Sequence, residues 1–79
     1  MPIRMALKEA AIMAVIELET KLHFDRNLEG SRRLTQTDCD DARASVEAAR
    51  HVLPSIVRST LLLRIEGAEC WLADRQAKG

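Results

Sequence analysis

The chain has 79 residues, with 12 basic and 12 acidic side chains and a formal net charge of +0. It therefore holds one domain at most and lacks the basic excess that marks a nucleic-acid binder. Apolar residues make up 47% of it, with one Phe, one Trp and no Tyr, which argues against a small β fold built on aromatic and β-branched side chains.

The first predicted element is a long helix. Pro2 suits a first helical turn, and from residue 3 to about residue 24 no Gly or internal Pro interrupts the chain. Leu7, Ala11, Ala14, Leu18 and Leu22 recur at the three- and four-residue spacing of a helix seam. Met5, Ile12 and Ile16 form a second apolar stripe roughly opposite, with Met13 near its edge. A helix apolar on two sides needs two partners. A domain this small buries only about 60% of its unfolded surface, and oligomerisation is a usual remedy. The uncharged run at residues 10–16 is far short of the roughly 20 residues that cross a bilayer, and it lacks the flanks of a signal peptide. No membrane association and a cytoplasmic location are expected. Two cysteines are fewer than small secreted domains tend to carry.

Residues 25–34 read as a central loop, with Asn27 and Gly30 as turn residues. At about ten residues it is long for a connection between antiparallel helices, and Leu28 is expected to tuck inward. Asp25, Asn27 and Glu29 followed by Gly30 match the opening of an EF-hand calcium loop. The rest fails: Gln36 stands where a bidentate Glu is needed, and Arg32 and Arg33 would set positive charge beside the cation.

The second helix opens on a capping signature, with Thr35 as N-cap and Asp38 completing the box. Leu34 can staple onto Cys39. Asp38, Asp40 and Asp41 sit where the positive end of the macrodipole favours them. This helix is expected from residue 36 or 37 to about residue 52. Pro54 disfavours helix at Leu53. Yet Cys39, Ala42, Val46, Ala49, Leu53, Ile56, Thr60, Leu63, Gly67 and Cys70 keep the three–four alternation straight through it. That unbroken phase predicts one long helix kinked near Pro54, or two helices in line, ahead of a wide-angle turn into a separate third helix. Val57, Leu61, Ile65, Ala68 and Leu72 form a second stripe, with Trp71 beside it. Gly67 in a helix interior is about 1 kcal/mol less favourable than Ala, which points to a close helix crossing. Residues 75–79 are read as a polar, frayed tail.

Chemistry has little support. Cys39, Cys70, His23 and His51 lack the local pairing of zinc ligands. No nucleophile motif is present. His23 near a helix C-terminus is better read as a capping residue. No cofactor, metal or catalytic residue is expected, and the chain is not expected to be an enzyme.

The sequence thus predicts an all-α domain over residues 1–79. It is a helical hairpin of two long helices, the second kinked or broken near Pro54 to give two or three helices, assembled as a helical-bundle homodimer. The function expected is a small non-enzymatic protein-binding module: an adaptor, inhibitor or regulatory protein, encoded by a bacterium or a mobile element. Its larger protein partner is not identified by the sequence. Met5, Ile12, Ile16, Ile56, Leu63 and Trp71 are the expected partner or dimer interface. The alternative is a small dimeric DNA-binding transcription regulator using Arg26, Arg32 and Arg33 against phosphate, with nucleic acid the less favoured partner.

Overall fold

The computed structural model describes residues 3–27 and 33–78. Pro2, Leu28, Glu29, Gly30 and Arg32, each given a part in the sequence reading, lie outside them. Three helices make up the fold: α1 (Ile3–Arg26), α2 (Gln36–Ala48) and α3 (Ser55–Lys78). No strand occurs among the described residues.

Helix α1 runs slightly past the expected end. Its last turn takes in Asp25 and Arg26, and Asn27 closes it. The Asn27 side-chain amide donates to the carbonyl of His23 at 2.7 Å and its backbone N–H donates to the same oxygen at 3.1 Å, which uses a carbonyl the helix leaves unpaired. Helix α2 opens as its sequence demands. Thr35 is extended, its hydroxyl accepts from the N–H of Asp38, and the Asp38 carboxylate accepts from the N–H of Thr35 at 3.0 Å. Leu34 ahead of the cap and Cys39 inside the helix are both buried.

The break at Pro54 is a full reversal, and here the structure departs from the expected in-line rod. Helix α2 ends at Ala48, and a turn follows in which Val52 and Leu53 donate their N–H groups to the carbonyl of Ala49 at 2.9 and 3.0 Å. Pro54 begins α3 from outside: its carbonyl accepts the N–H of Arg58 at 2.9 Å, and it has no N–H of its own to leave unpaired. A continuous helix from Gln36 to Lys78 would span about 63 Å at 1.5 Å per residue, whereas the longest axis of the molecule is 43 Å.

Cross-links fix the helix directions. Lys21 of α1 meets Asp38 of α2 at 2.7 Å, and earlier residues of α1, Ala14 and Leu18, line one groove with later residues of α2, Ala42 and Ser45, so those two helices are antiparallel. Gln36 and Arg43 of α2 both reach Glu69 of α3, at 3.1 and 2.5 Å, while Arg58 near the start of α3 donates to the carbonyl of Arg50 after the end of α2. Those two helices are antiparallel as well. Glu19 pairs with Arg64, and Asp25 meets Trp71 and Arg75, so α1 and α3 run parallel. The result is an up–down–up bundle of three helices. Helix α3 continues to Lys78, and Arg75 in its last turn is tied to Asp25.

The core lies along the bundle axis. It takes Ala11, Val15 and Leu18 from α1; Cys39, Ala42 and Val46 from α2; Ala49 and Leu53 from the turn; and Leu61, Ile65, Ala68 and Leu72 from α3, with Leu34 closing one end. The alanines let helix backbones approach, and the larger side chains fill the space between. The phase of the seam is lost at the turn. Cys39, Ala42, Val46, Ala49 and Leu53 point inward, but their apparent continuation, Ile56, Thr60, Leu63, Gly67 and Cys70, points out to solvent. A chain reversal resets which side of the next helix faces the core, and α3 packs with Leu61, Ile65, Ala68 and Leu72 instead.

Candidate functional site

With two partners inside the chain, α1 has part of its two-sidedness satisfied. Leu7, Ile12, Ala14 and Leu22 are half-buried against the core. What remains is a set of large side chains that the bundle does not cover. Ile56 is 82% exposed, Leu63 65%, Met5 54%, Met13 52% and Ile16 42%.

Most of these share one face. Glu19 of α1 is turned toward α3, where it meets Arg64. Ile16, Ile12 and Met5 precede it by three, seven and fourteen residues, so they follow the same flank of α1 at helical spacing. On α3, Thr60 and Gly67 flank Arg64 by four and three residues, and Ile56 and Leu63 lie just outside them. Helix α2 touches the other side of α3, through Arg58 and Glu69. The α1/α3 layer thus presents an outer face opposite α2, apolar through Met5, Ile12, Ile16, Ile56 and Leu63. Met13 lies further round α1.

Three further features shape this face. Glu19 and Arg64 bridge the two helices. Their hydrogen bond lowers the pKa of the Glu19 carboxyl, against the burial that would raise it, and raises that of the Arg64 guanidinium. Thr60 donates its hydroxyl to the carbonyl of Ile56 at 2.9 Å, so its one side-chain donor is satisfied within its own helix. Gly67 is exposed, and a Cβ placed there would meet nothing within 4 Å. The close crossing that sequence suggested at Gly67 is not made by α1 or α2.

Trp71 stands apart from the other expected anchors. It is half-buried, its indole N–H donates to Asp25 at 3.2 Å, and the Arg26 guanidinium lies 5.6 Å from its ring centroid. Asp25 is 1% exposed. Its carboxylate also accepts from Arg33 at 3.3 Å and from Arg75, and Arg75 donates in addition to the carbonyl of Leu34 at 2.9 Å. This cluster joins the end of α1, the entry to α2 and the end of α3. Sequence reading placed Asp25 in a loop and missed it. The available signal was its position seven residues beyond Leu18, in phase with the inward face. Two of the arginines considered for phosphate contact are thereby occupied within the chain, Arg26 on Trp71 and Arg33 on Asp25.

Elsewhere the described residues form two surface hollows. One is bordered by Glu19, Leu22, His23, Arg26 and Asn27, and the other, a groove between α1 and α2, is bordered by Lys21 and Asp38, which pair with each other, and by Glu17, Asp41 and Ser45. Cys39 is buried and Cys70 exposed. Burial, with Glu69, Asp38 and Asp40 nearby, pushes the Cys39 thiol up to about 11, which keeps it protonated and unreactive. Among the described residues, no three His, Cys, Asp or Glu side chains gather where they could hold a metal ion, and no buried side-chain polar atom lacks a partner. No helix among them is long and apolar enough to cross a membrane. No protein-family model, curated protein or solved structure matches this chain.

Proposed function

We propose that this protein is a small protein-binding module, an adaptor, inhibitor or regulatory protein, that acts by presenting the outer face of α1 and α3 to another protein and carries out no catalysis itself. The observation that carries this reading is the exposure of Ile56 and Leu63, 82% and 65%, on a helix whose opposite side already fills the core. Burying such a side chain is worth roughly 1.5–3 kcal/mol. A contiguous apolar patch left open on a folded domain marks an interaction surface, and anchors at three- and four-residue spacing suit helix-on-helix or helix-in-groove docking. Two unpaired cysteines, one of them exposed, fit a reducing compartment such as the cytoplasm.

The test is affinity capture from the native host with the wild-type chain and with an Ile16→Asp/Leu63→Asp variant, read by mass spectrometry. The reading expects a protein enriched by the wild type and lost by the variant, while circular dichroism shows the variant still helical. A folded variant that retains every captured protein overturns it.

A further inference from the structure

We infer that the occupant of this face is a second copy of the same chain, docked antiparallel about a two-fold axis that passes close to Thr60. The inference rests on the reading of this face as a protein-binding surface and names a copy of the chain as the protein that covers it, which any other partner would have to displace.

The argument is one of position along the bundle. Helices α1 and α3 are parallel, and Glu19 against Arg64 and Asp25 against Trp71 set their levels: a residue of α1 lies beside the residue of α3 about 45 positions later. On that common scale Ile12 and Ile16 fall beside residues 57 and 61. The outer apolar set of Ile12, Ile16, Ile56 and Leu63 is therefore centred near the level of Thr60. His23 and Asp74 lie toward the far end. The apolar set is thus bounded by polar residues at that end, and Met5, 54% exposed, continues it at the other.

A two-fold interface must be complementary to itself, so that if residue i meets j, then j meets i. An axis at the level of Thr60 meets that condition. Ile56 of one copy lies against Leu63 of the other, and Leu63 against Ile56. Between them the two small Thr60 side chains approach, their hydroxyl donors already satisfied within their own helices. The same axis brings the Ile12–Ile16 segments of the two α1 helices opposite one another. Under this axis the two α1 helices overlap along nearly all of their 24 residues, while the two α3 helices overlap only over residues 55–65. At 1.5 Å per residue and about 10 Å per helix that covers on the order of 500 Å² per copy, about 1,000 Å² in total, at the lower bound of a specific interface.

The experiment is disulfide trapping on the full-length chain. In a Thr60→Cys/Cys70→Ser variant the new thiols stand at the axis, and mild oxidation is expected to give a covalent dimer on a non-reducing gel that reverts with reductant. Wild-type Cys70 lies ten residues from the axis in each copy, about 15 Å, so its counterpart is far outside the 4.4–6.8 Å Cα separation of a disulfide; the wild type is expected not to cross-link. Sedimentation equilibrium should give a dimer mass for the wild type and at least a ten-fold weaker dimer for Leu63→Asp. A single-chain mass at all concentrations, or Cys70 cross-linking in the wild type with none in the Thr60→Cys/Cys70→Ser variant, overturns the inference. A monomer that still captures another protein through Leu63 overturns the pairing and leaves the binding reading standing. A trapped dimer that captures nothing else supports the pairing and confines the binding of this face to self-association.

Discussion

The indole of Trp71 and the carboxylate of Asp25, 46 positions apart in sequence, are joined by a 3.2 Å hydrogen bond that fixes the level at which α1 and α3 lie side by side. Shape alone would let two apolar helices slide by a turn. A buried acceptor with a single set of donors does not, since a slip would strand a charge away from water. Arg75 and Arg33 complete the set, and Arg75 carries the same restraint to the carbonyl of Leu34.

Replacing that carboxylate should therefore be expensive. Removing one member of a buried ion pair typically costs about 3–5 kcal/mol. Because the Arg75 side chain is 30% exposed and can regain water, Asp25→Ala is expected to destabilise the fold by about 2–3 kcal/mol, and Asp25→Asn by less. Urea unfolding midpoints check this. A loss under about 0.5 kcal/mol, the range of an ordinary surface change, would show that the cluster does not hold the bundle.

Ile65 and Leu63 lie two positions apart on α3, yet face opposite ways. Ile65 is 0% exposed and Leu63 65%. Ile65→Ala should cost about 2–5 kcal/mol, as a large-to-small change in a core does. Leu63→Ala should stay within about 0.5 kcal/mol at protein concentrations low enough for a single chain. Thermal melts of the two variants against the wild type give the comparison, and a reversed order would mean that the helix is turned the other way.

Gly67 tests the same assignment with the opposite sign. Since an added Cβ meets nothing within 4 Å, Gly67→Ala gains helix propensity without a clash. It is expected to stabilise the dilute chain by up to about 1 kcal/mol. Destabilisation at low concentration would mean that another part of the chain crosses there.

Acid should weaken the fold through two named carboxylates. For Asp38, burial acts upward on the pKa, but hydrogen bonds from Lys21 and from the backbone and side chain of Thr35 outweigh it and hold the group below its ordinary 3.8. For Glu19 the Arg64 hydrogen bond does the same against an ordinary 4.5. A carboxylate with a depressed folded-state pKa adds stability that is present above its unfolded value and lost as the pH falls through its folded one. Unfolding free energy is thus expected to hold near neutrality and to drop below about pH 4.5, the ordinary value of Glu19. Lys21→Met should lessen that acid-side fall, because it removes a hydrogen-bond partner that stabilises ionised Asp38. An unchanged acid profile in this variant would assign the fall to other groups.

The helices were legible where the signal is local. The Thr35–Asp38 box places the start of α2, and the absence of Gly and Pro in α1 places its length. What misled was the three–four alternation carried through Pro54, for hydrophobic spacing records which residues share a helix face only while the helix lasts. Leu53 and Ile56 look adjacent on one seam, but a reversal stands between them, and the seam that buries is Leu61, Ile65, Ala68 and Leu72. Of the expected interface, Met5, Ile16, Ile56 and Leu63 are exposed, Ile12 is half-buried, and Trp71 is drawn into the Asp25 cluster. That cluster depends on partners 8, 46 and 50 positions away, a pairing with no local trace.

The turn between Ala49 and Pro54 also decides where this chain tolerates a change of length. One residue added among exposed Arg50 and His51 lengthens a surface crossing and leaves α3 seated as before. The same residue added inside α3 swings everything beyond it through about 100°, drawing polar or outward-facing side chains into the core. The reversal thus separates the inward-facing pattern of α2 from that of α3, and lets the outer face of α3 vary in sequence without disturbing the helix that precedes it.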